Sequence, residues 1–378
     1  MVVLGQSGTG KSYLIKEIAK SFKKNNEKSS GVQVTATTGI ASVNVGGGGG
    51  TIHSWSGIGD GRYSNETLLH KLENSDHYEV YKHNIKSTQC LIIDEISMLS
   101  SKLFEQVEYI CRHILDKSLI FGGIQVIVVG DFFQLPPVPD QLKLDSGEHC
   151  FRSPIFKQLF KHKFILTNVM RQNQEDFVKA INDISRGELP EDTHNMIKSL
   201  SRKLPPGDDP IRLCARNFDC EMYNSCKLID MEGGEFEFNA VDEGNNSKLE
   251  RLPVPKHLHL KLGCPVMLLK NLNANLVNGL RGVVTSISTE TVTVNFKNTN
   301  LKVTQVEIKK EMFTVYSSVE SKVIASRKQF PLCLAFSITI HKSQGLTLDR
   351  AVVDASCIFA PGQLGVAIGR VRGKKVCK

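Results

Sequence analysis

Residues Val2 to Leu14 read VVLGQSGTGKSYL, a short apolar strand running into Gly5, Gly8, Gly10, Lys11 and Ser12. The spacing is G-x-x-x-x-G-K-[ST], a phosphate-binding loop in full. Glycine lets backbone N–H groups wrap a phosphate without Cβ clashes, with Ser7 and Thr9 completing the loop. Lys11 has the reach for the β- and γ-oxygens, and the Ser12 hydroxyl suits Mg²⁺. Beyond the loop, Leu14, Ile15, Ile18, Ala19 and Phe22 recur at helical spacing, so a helix packs one face on a sheet and aims its positive end at the phosphates. The pattern fixes the chemistry to nucleoside triphosphates.

Two further strands extend this frame. Cys90 to Leu99 (CLIIDEISML) reads as a buried parallel strand ending in adjacent carboxylates. In a phosphate-loop enzyme the first acid, Asp94, is placed to hold Mg²⁺, and its neighbour Glu95 to deprotonate the attacking water. Ile124 to Asp131 is a third strand leading into FFQLPPV, where the Gln134 amide can touch the γ-phosphate or the water.

At 378 residues the chain exceeds what one core usually serves, so two domains or more are expected. No run of eighteen apolar residues spans a bilayer and no secretory signal is evident, which predicts an intracellular protein without a membrane partner. The ten cysteines are scattered with no C-x-x-C pair and read as reduced thiols. A net charge of +8 fits a polyanion-binding surface, although solvated lysines commonly give the same excess.

GQSGTGKS, TATTGIAS (Thr35 to Ser42), TIHSW (Thr51 to Trp55), IIDEISML and GDFFQLPPV occur in this order. LTNVMRQ (Leu166 to Gln172), VMLLKN (Val266 to Asn271), LVNG (Leu276 to Gly279), TIHKSQGLT (Thr339 to Thr347) and VAIGRVR (Val366 to Arg372) continue the set. Together they resemble the PIF-type branch of superfamily 1 DNA helicases, the RecD-related enzymes that translocate 5′ to 3′, over nearly the whole chain.

The resemblance implies an α/β fold of two RecA-like domains with ATP in the cleft between them. The first is expected over residues 1–164, interrupted at about 58–83 by a small wedge that meets the duplex fork. The second is expected over 165–378, with a small β-barrel inserted at about 258–313 that clamps single-stranded DNA. By resemblance Arg370 is the arginine finger, Arg171 a second cation reaching the γ-phosphate from the second domain, and Gln344 a link between nucleotide and DNA. The implied DNA contacts are Thr37, Thr38, His53, Phe133, Asn278, Thr339, His341 and Lys342.

Three departures stand out. Five glycines precede TIHSW where the family usually has two, Gly369 replaces a usual serine or threonine, and the family's upstream glutamine-bearing, adenine-reading segment is not in this sequence. The expectation is an ATP-dependent 5′-to-3′ DNA helicase, using Mg²⁺ with ATP on single-stranded and forked DNA. It would act as a monomer in genome maintenance, including telomeres, repair and recombination, in the nucleus or alternatively the mitochondrion. A helicase-derived single-strand-binding protein without unwinding is the competing expectation.

Overall fold

The structure, a computed structural model, describes residues 1–25, 31–39, 41–42, 50–207, 209–244, 246–250, 252–273, 275–297, 303–317 and 322–378. Ile40 of the TATTGIAS run and four of the five glycines before TIHSW, Gly46 to Gly49, lie outside the described residues. The chain divides into two compact units. One comprises Met1–Arg202 with Ala360–Lys374, the other Lys203–Phe359 with Lys375–Lys378.

The first unit is built on strands β1 (Val2–Gly5), β2 (Val32–Ala36), β3 (Cys90–Asp94), β4 (Gln125–Gly130) and β5 (Lys163–Leu166). They pair in the order β2-β3-β4-β1-β5, all parallel. Alternation along each strand sends neighbouring residues to opposite faces, and this sorts the core. Val2, Leu91, Ile93, Val126 and Val128 belong to one apolar cluster, whereas Val3, Cys90, Ile92, Ile127 and Val129 belong to another. Helix Lys11–Asn25 covers the second cluster with Ile15, Leu14 and Ile18. The first is covered by helices that include Ile52–Ser56, Asn65–Asn74, Glu79–Ser87 and Ser101–Ile114.

The stretch expected as a wedge is mostly helical. Its polar sequence conceals Ile58, Leu68 and Leu72, all fully buried in the apolar cluster on that face of the sheet, so this segment contributes to the core.

The expected boundary near residue 164 is displaced to Arg202/Lys203. Strand β5 pairs with β1 as the sheet's edge. Helix Glu175–Arg186 meets helix Gln363–Ile368 so closely that a Cβ on Gly365 would stand 2.3 Å from Ser185 Oγ. Residues 165–202 and the segment carrying Arg370 therefore belong with the phosphate loop.

The second unit opens with β6 (Ile211–Cys214), followed by helix Asn217–Asp230 and strands β7 (Phe236–Asn239) and β8 (Val241–Gly244). Then come β9 (His257–Leu260), β10 (Pro265–Leu268), β11 (Arg281–Ile287), β12 (Val292–Lys297), β13 (Val303–Ile308) and β14 (Glu311–Ser317). The last strands are β15 (Lys322–Gln329), β16 (Leu332–Leu334), β17 (Ser337–Thr339) and β18 (Ala351–Val353). A parallel sheet β17-β6-β18 forms the RecA-like part.

The inserted β region runs wider than 258–313. It comprises the sheets β13-β12-β11-β10-β16, β14-β15-β8 and β7-β9. Arg327 of β15 donates to both carboxylate oxygens of Asp242 on β8, at 2.7 and 2.8 Å, and to Val254 O at 3.0 Å. Burial of that bidentate pair holds a strand too polar to read as core.

Two stability predictions follow. Phe104 is fully buried, with the rings of Phe121 and Phe156 at 5.4 and 5.7 Å. Phe104→Ala should cost about 3–5 kcal/mol in denaturant unfolding. A change below 1 kcal/mol, as an order of magnitude, would mean this site collapses freely. Burial depresses the His53 pKa to about 4, with Asp60 opposing and Lys143 adding to the shift. A histidine neutral in the fold stabilises above its unfolded pKa and loses that contribution as pH falls toward 4. The stability gap between the parent and His53→Gln should therefore change as pH falls from 6.5 toward 4; parallel pH curves would remove this account.

Candidate nucleotide site

Parallel α/β sheets bind ligands at the carboxyl ends of their strands, and here three strand ends carry the chemistry. β1 ends in the loop, β3 in Asp94 and Glu95, and β4, between them, in Gly130–Asp131. Gly8 and Gly10 take φ of +85° and +86°, conformations L side chains rarely adopt. A Cβ on Gly8 would also stand 2.7 Å from Arg171 Cβ, so Arg171 can approach because the loop has no side chain there.

Lys11 turns back into the loop, its Nζ donating to Gly5 O at 2.6 Å and Gln6 O at 2.8 Å. Burial lowers its pKa, opposed by Glu95, Asp131 and Asp94. Thr9 Oγ1 closes the turn on Gln6 O at 2.9 Å, and Ser12 is exposed in the first turn of the helix.

The acids lie out of water. Asp94 accepts from Glu95 N at 2.9 Å, and burial, reinforced by Glu95, pushes its pKa to about 7. Glu95 holds φ +53° and ψ +43°, left-handed for a residue with a side chain. Such backbone strain costs on the order of 1–3 kcal/mol and persists where surroundings impose it. Asp131, whose pKa is raised mainly by burial, accepts from Phe133 N at 3.1 Å and Gln134 Nε2 at 3.3 Å.

Ser7 joins the cations to the loop. Its Oγ accepts from Arg171 Nη1 at 2.8 Å and Arg370 Nη2 at 3.0 Å. Arg370 is 2% exposed, donates through Nε to Val366 O at 3.0 Å and through Nη2 to Gln134 Oε1 at 3.3 Å. Burial, then the neighbouring Arg171, depresses its pKa to about 10. Burial likewise lowers that of Arg171. Two desolvated like charges side by side disfavour each other until an anion meets them, which makes this an anion-receiving corner.

Lys11, Asp94, Glu95, Gln134, Arg171 and Arg370 thus come together within the first unit. Both arginines, expected from the second domain, fall in the first compact unit, and each bonds the loop's own Ser7. Gly369 retains a role without a side chain, its carbonyl accepting from Arg171 Nη1 at 2.9 Å and Gln172 Nε2 at 3.3 Å. Sequence reasoning passed over Asp131 and Gln172. The Gly-Asp ending of an apolar strand was the available signal for Asp131, and nothing local marked Gln172.

Among the expected DNA contacts of this unit, Thr37 donates to Glu95 O at 3.0 Å and Thr38 Oγ1 accepts from Ala41 N at 3.3 Å. His53 is part-buried in helix Ile52–Ser56, and Phe133 is 57% exposed. In the second unit Asn278 is exposed, its N–H donating to Asn271 Oδ1 at 2.7 Å. Thr339 and Lys342 line a cavity of about 950 Å³ with Cys220, Arg327 and Ser337. Gln344 is buried in the turn after β17.

The sequence pattern of the PIF1-like helicase family matches residues 1–195, and that of the DNA helicase Pif1 2B domain matches residues 245–287. The ATP-dependent DNA helicase PIF1 of Homo sapiens is 35% identical over 97% of this chain and 56% of its own length. The ATP-dependent DNA helicase RRM3 of Saccharomyces cerevisiae is 30% identical over 97% of this chain and 60% of its own. The chain thus spans a little over half the length of these curated relatives. Among solved structures, Pif1 helicase from Candida albicans has 33% identity and a TM-score of 0.87, covering 100% of this chain and 89% of that one. Bacteroides Pif1 bound to ssDNA has 30% identity and a TM-score of 0.83, covering 100% and 87%. A Bacteroides Pif1 complex with ADP-AlF3 and ssDNA has 31% identity and a TM-score of 0.82 at the same coverage. On this agreement of motifs, fold and relatives, the chain belongs to the PIF1-like helicase family.

Proposed function

We propose that this chain is the motor portion of an ATP-dependent DNA helicase that moves 5′ to 3′ on single-stranded DNA and separates forked duplex. The observation that carries the reading is the convergence of Lys11, Asp94, Glu95, Arg171 and Arg370 on one phosphate loop. Family relatives solved with ssDNA, and with ADP-AlF3 and ssDNA together, support it.

In this reading the loop amides and Lys11 bind the phosphates, the ammonium exchanging its bonds to Gly5 O and Gln6 O for phosphate oxygens. Glu95 takes a proton from the attacking water, Gln134 orients that water, and Arg171 with Arg370 meets the charge that develops on the transferred group. The Ser12 hydroxyl and Asp94 carboxylate are an oxygen-only donor set, which fits Mg²⁺ because that ion takes one or two protein ligands and keeps its waters. Among the described residues no cluster of three or more His, Cys, Asp or Glu suits a metal, so a dedicated protein cage is not the alternative. Bound there, Mg²⁺ would neutralise charge on the β- and γ-oxygens.

Thr37, Thr38, His53, Phe133, Asn278, Thr339, His341 and Lys342 are the proposed DNA contacts, with Gln344 linking them to the nucleotide. The Thr37 bond to the Glu95 carbonyl supports such a link, because strand contact at 37 bears directly on the backbone of the base. Residues 58–83 would meet the fork and the β region would hold the strand. We place the protein as a monomer in genome maintenance, telomere upkeep, repair and recombination among its tasks, in the nucleus or else the mitochondrion.

Unwinding of 5′-tailed but not 3′-tailed duplex by purified protein with Mg·ATP is expected; the reverse preference would remove the direction, and ATPase unresponsive to single strands would remove the motor. Glu95→Gln should retain ATP binding while turnover falls roughly 10²–10⁴-fold, and unchanged turnover would remove its role as base. Arg370→Ala should lower turnover by about 10³-fold or more with nucleotide affinity nearly kept; a loss confined to affinity would make Arg370 a binding residue only.

A further inference from the structure

Phe359 is a large ring, 63% exposed, that no step of the nucleotide chemistry uses. A single exposed apolar side chain needs no explanation by itself, but this one lies against a second ring. It ends the loop after β18, and Asp354 in that loop is fixed three ways. Asp354 N donates to Leu213 O at 2.8 Å, and its carboxylate accepts from Arg212 Nη2 at 2.6 Å and from Ser356 Oγ at 2.6 Å.

The ring lies nearly parallel to the imidazole of His341, 22° between planes and 6.4 Å between centroids. His341 sits in the turn His341–Ser343, directly after β17, where Ile340 N donates to Cys214 O at 2.9 Å and Lys342 N to Thr339 Oγ1 at 3.4 Å. Burial lowers the His341 pKa, so at neutral pH it presents an uncharged ring, suited to stacking rather than to pairing with phosphate. Two near-parallel rings thus stand at the turn that also carries Lys342, and π-faces together with cations are what proteins use to hold single strands without reading sequence.

We infer that Phe359, backed by His341, is a stacking platform for one base of the bound single strand. The inference rests on the DNA-motor reading and adds a contact that the family motifs did not nominate. Stacking on a π-face tolerates every base, so the platform serves a motor that must pass over any sequence.

Labelled oligonucleotides titrated by anisotropy test it. Phe359→Ala should weaken single-strand binding about 5- to 150-fold. Phe359→Trp and Phe359→Tyr should return to within roughly threefold of the parent, while Phe359→Leu, apolar but without a π-face, should not. With 2-aminopurine walked along the strand, one position should quench on binding the parent and lose that quenching with Phe359→Leu. Equal affinity of parent and Phe359→Ala, or no position whose quenching depends on residue 359, would overturn the platform while leaving the motor reading intact. A parent chain that binds no single strand would overturn both.

Discussion

The first unit depends on keeping opposite charges out of water beside an anion-shaped loop. Asp94, Glu95 and Asp131 hang from the ends of β3 and β4, while Lys11, Arg171 and Arg370 come from the loop and two later segments. Each buried charge alone would cost several kcal/mol, as an order of magnitude, so each is tolerable only because the others are present. The cost is not fully offset, since burial still raises the pKa of Asp94 and lowers that of Arg370. That residual imbalance is what a magnesium nucleotide, carrying both signs, is suited to relieve.

Much of this was legible in the sequence because its physics is local. Strands β1, β3 and β4 are covered on both faces and so read as unbroken apolar runs, and the glycines of the loop are dictated by backbone geometry at those positions. The acids at 94 and 95 follow a strand with no other outlet. The rest was less legible, for equally physical reasons. Strand β5 has an exposed edge and the helices after it are polar outside, so residues 165–202 carry no mark of the unit they join. Strands β7 and β8 are short and acidic, and their place in the β region rests on pairing with β9 and on the Arg327–Asp242 bridge, contacts distant in sequence. The meeting of Ser7 with Arg171 and Arg370 is likewise a product of the fold alone.

The second unit combines a small parallel sheet with a β region of separate sheets, and the motif around His341 lies where the chain returns from one to the other. Backbone ties at Ile340 place the His341 turn, and the Phe359 ring lies nearly parallel to its imidazole, so a base resting there would meet a surface already oriented. Stacking onto prepared rings spends little conformational entropy, which favours repeated rapid capture and release.

The chain leaves the second unit after Phe359, runs through helix Gln363–Ile368 and then Arg370, and re-enters it at Lys375. Both ends of this excursion are secured on β18. One continues from that strand, and the other is stitched to it by Val353 N to Lys378 O at 2.6 Å and Lys378 N to Ala351 O at 3.1 Å. The segment carrying Arg370 is therefore closed at its two ends on one strand, while along its length it is held by the bonds of Arg370 to Ser7 and Gln134 and by the packing of Gly365 on Ser185. Because both ends of the excursion meet on the same strand, neither can be displaced without loading β18, and the two ends cannot move independently.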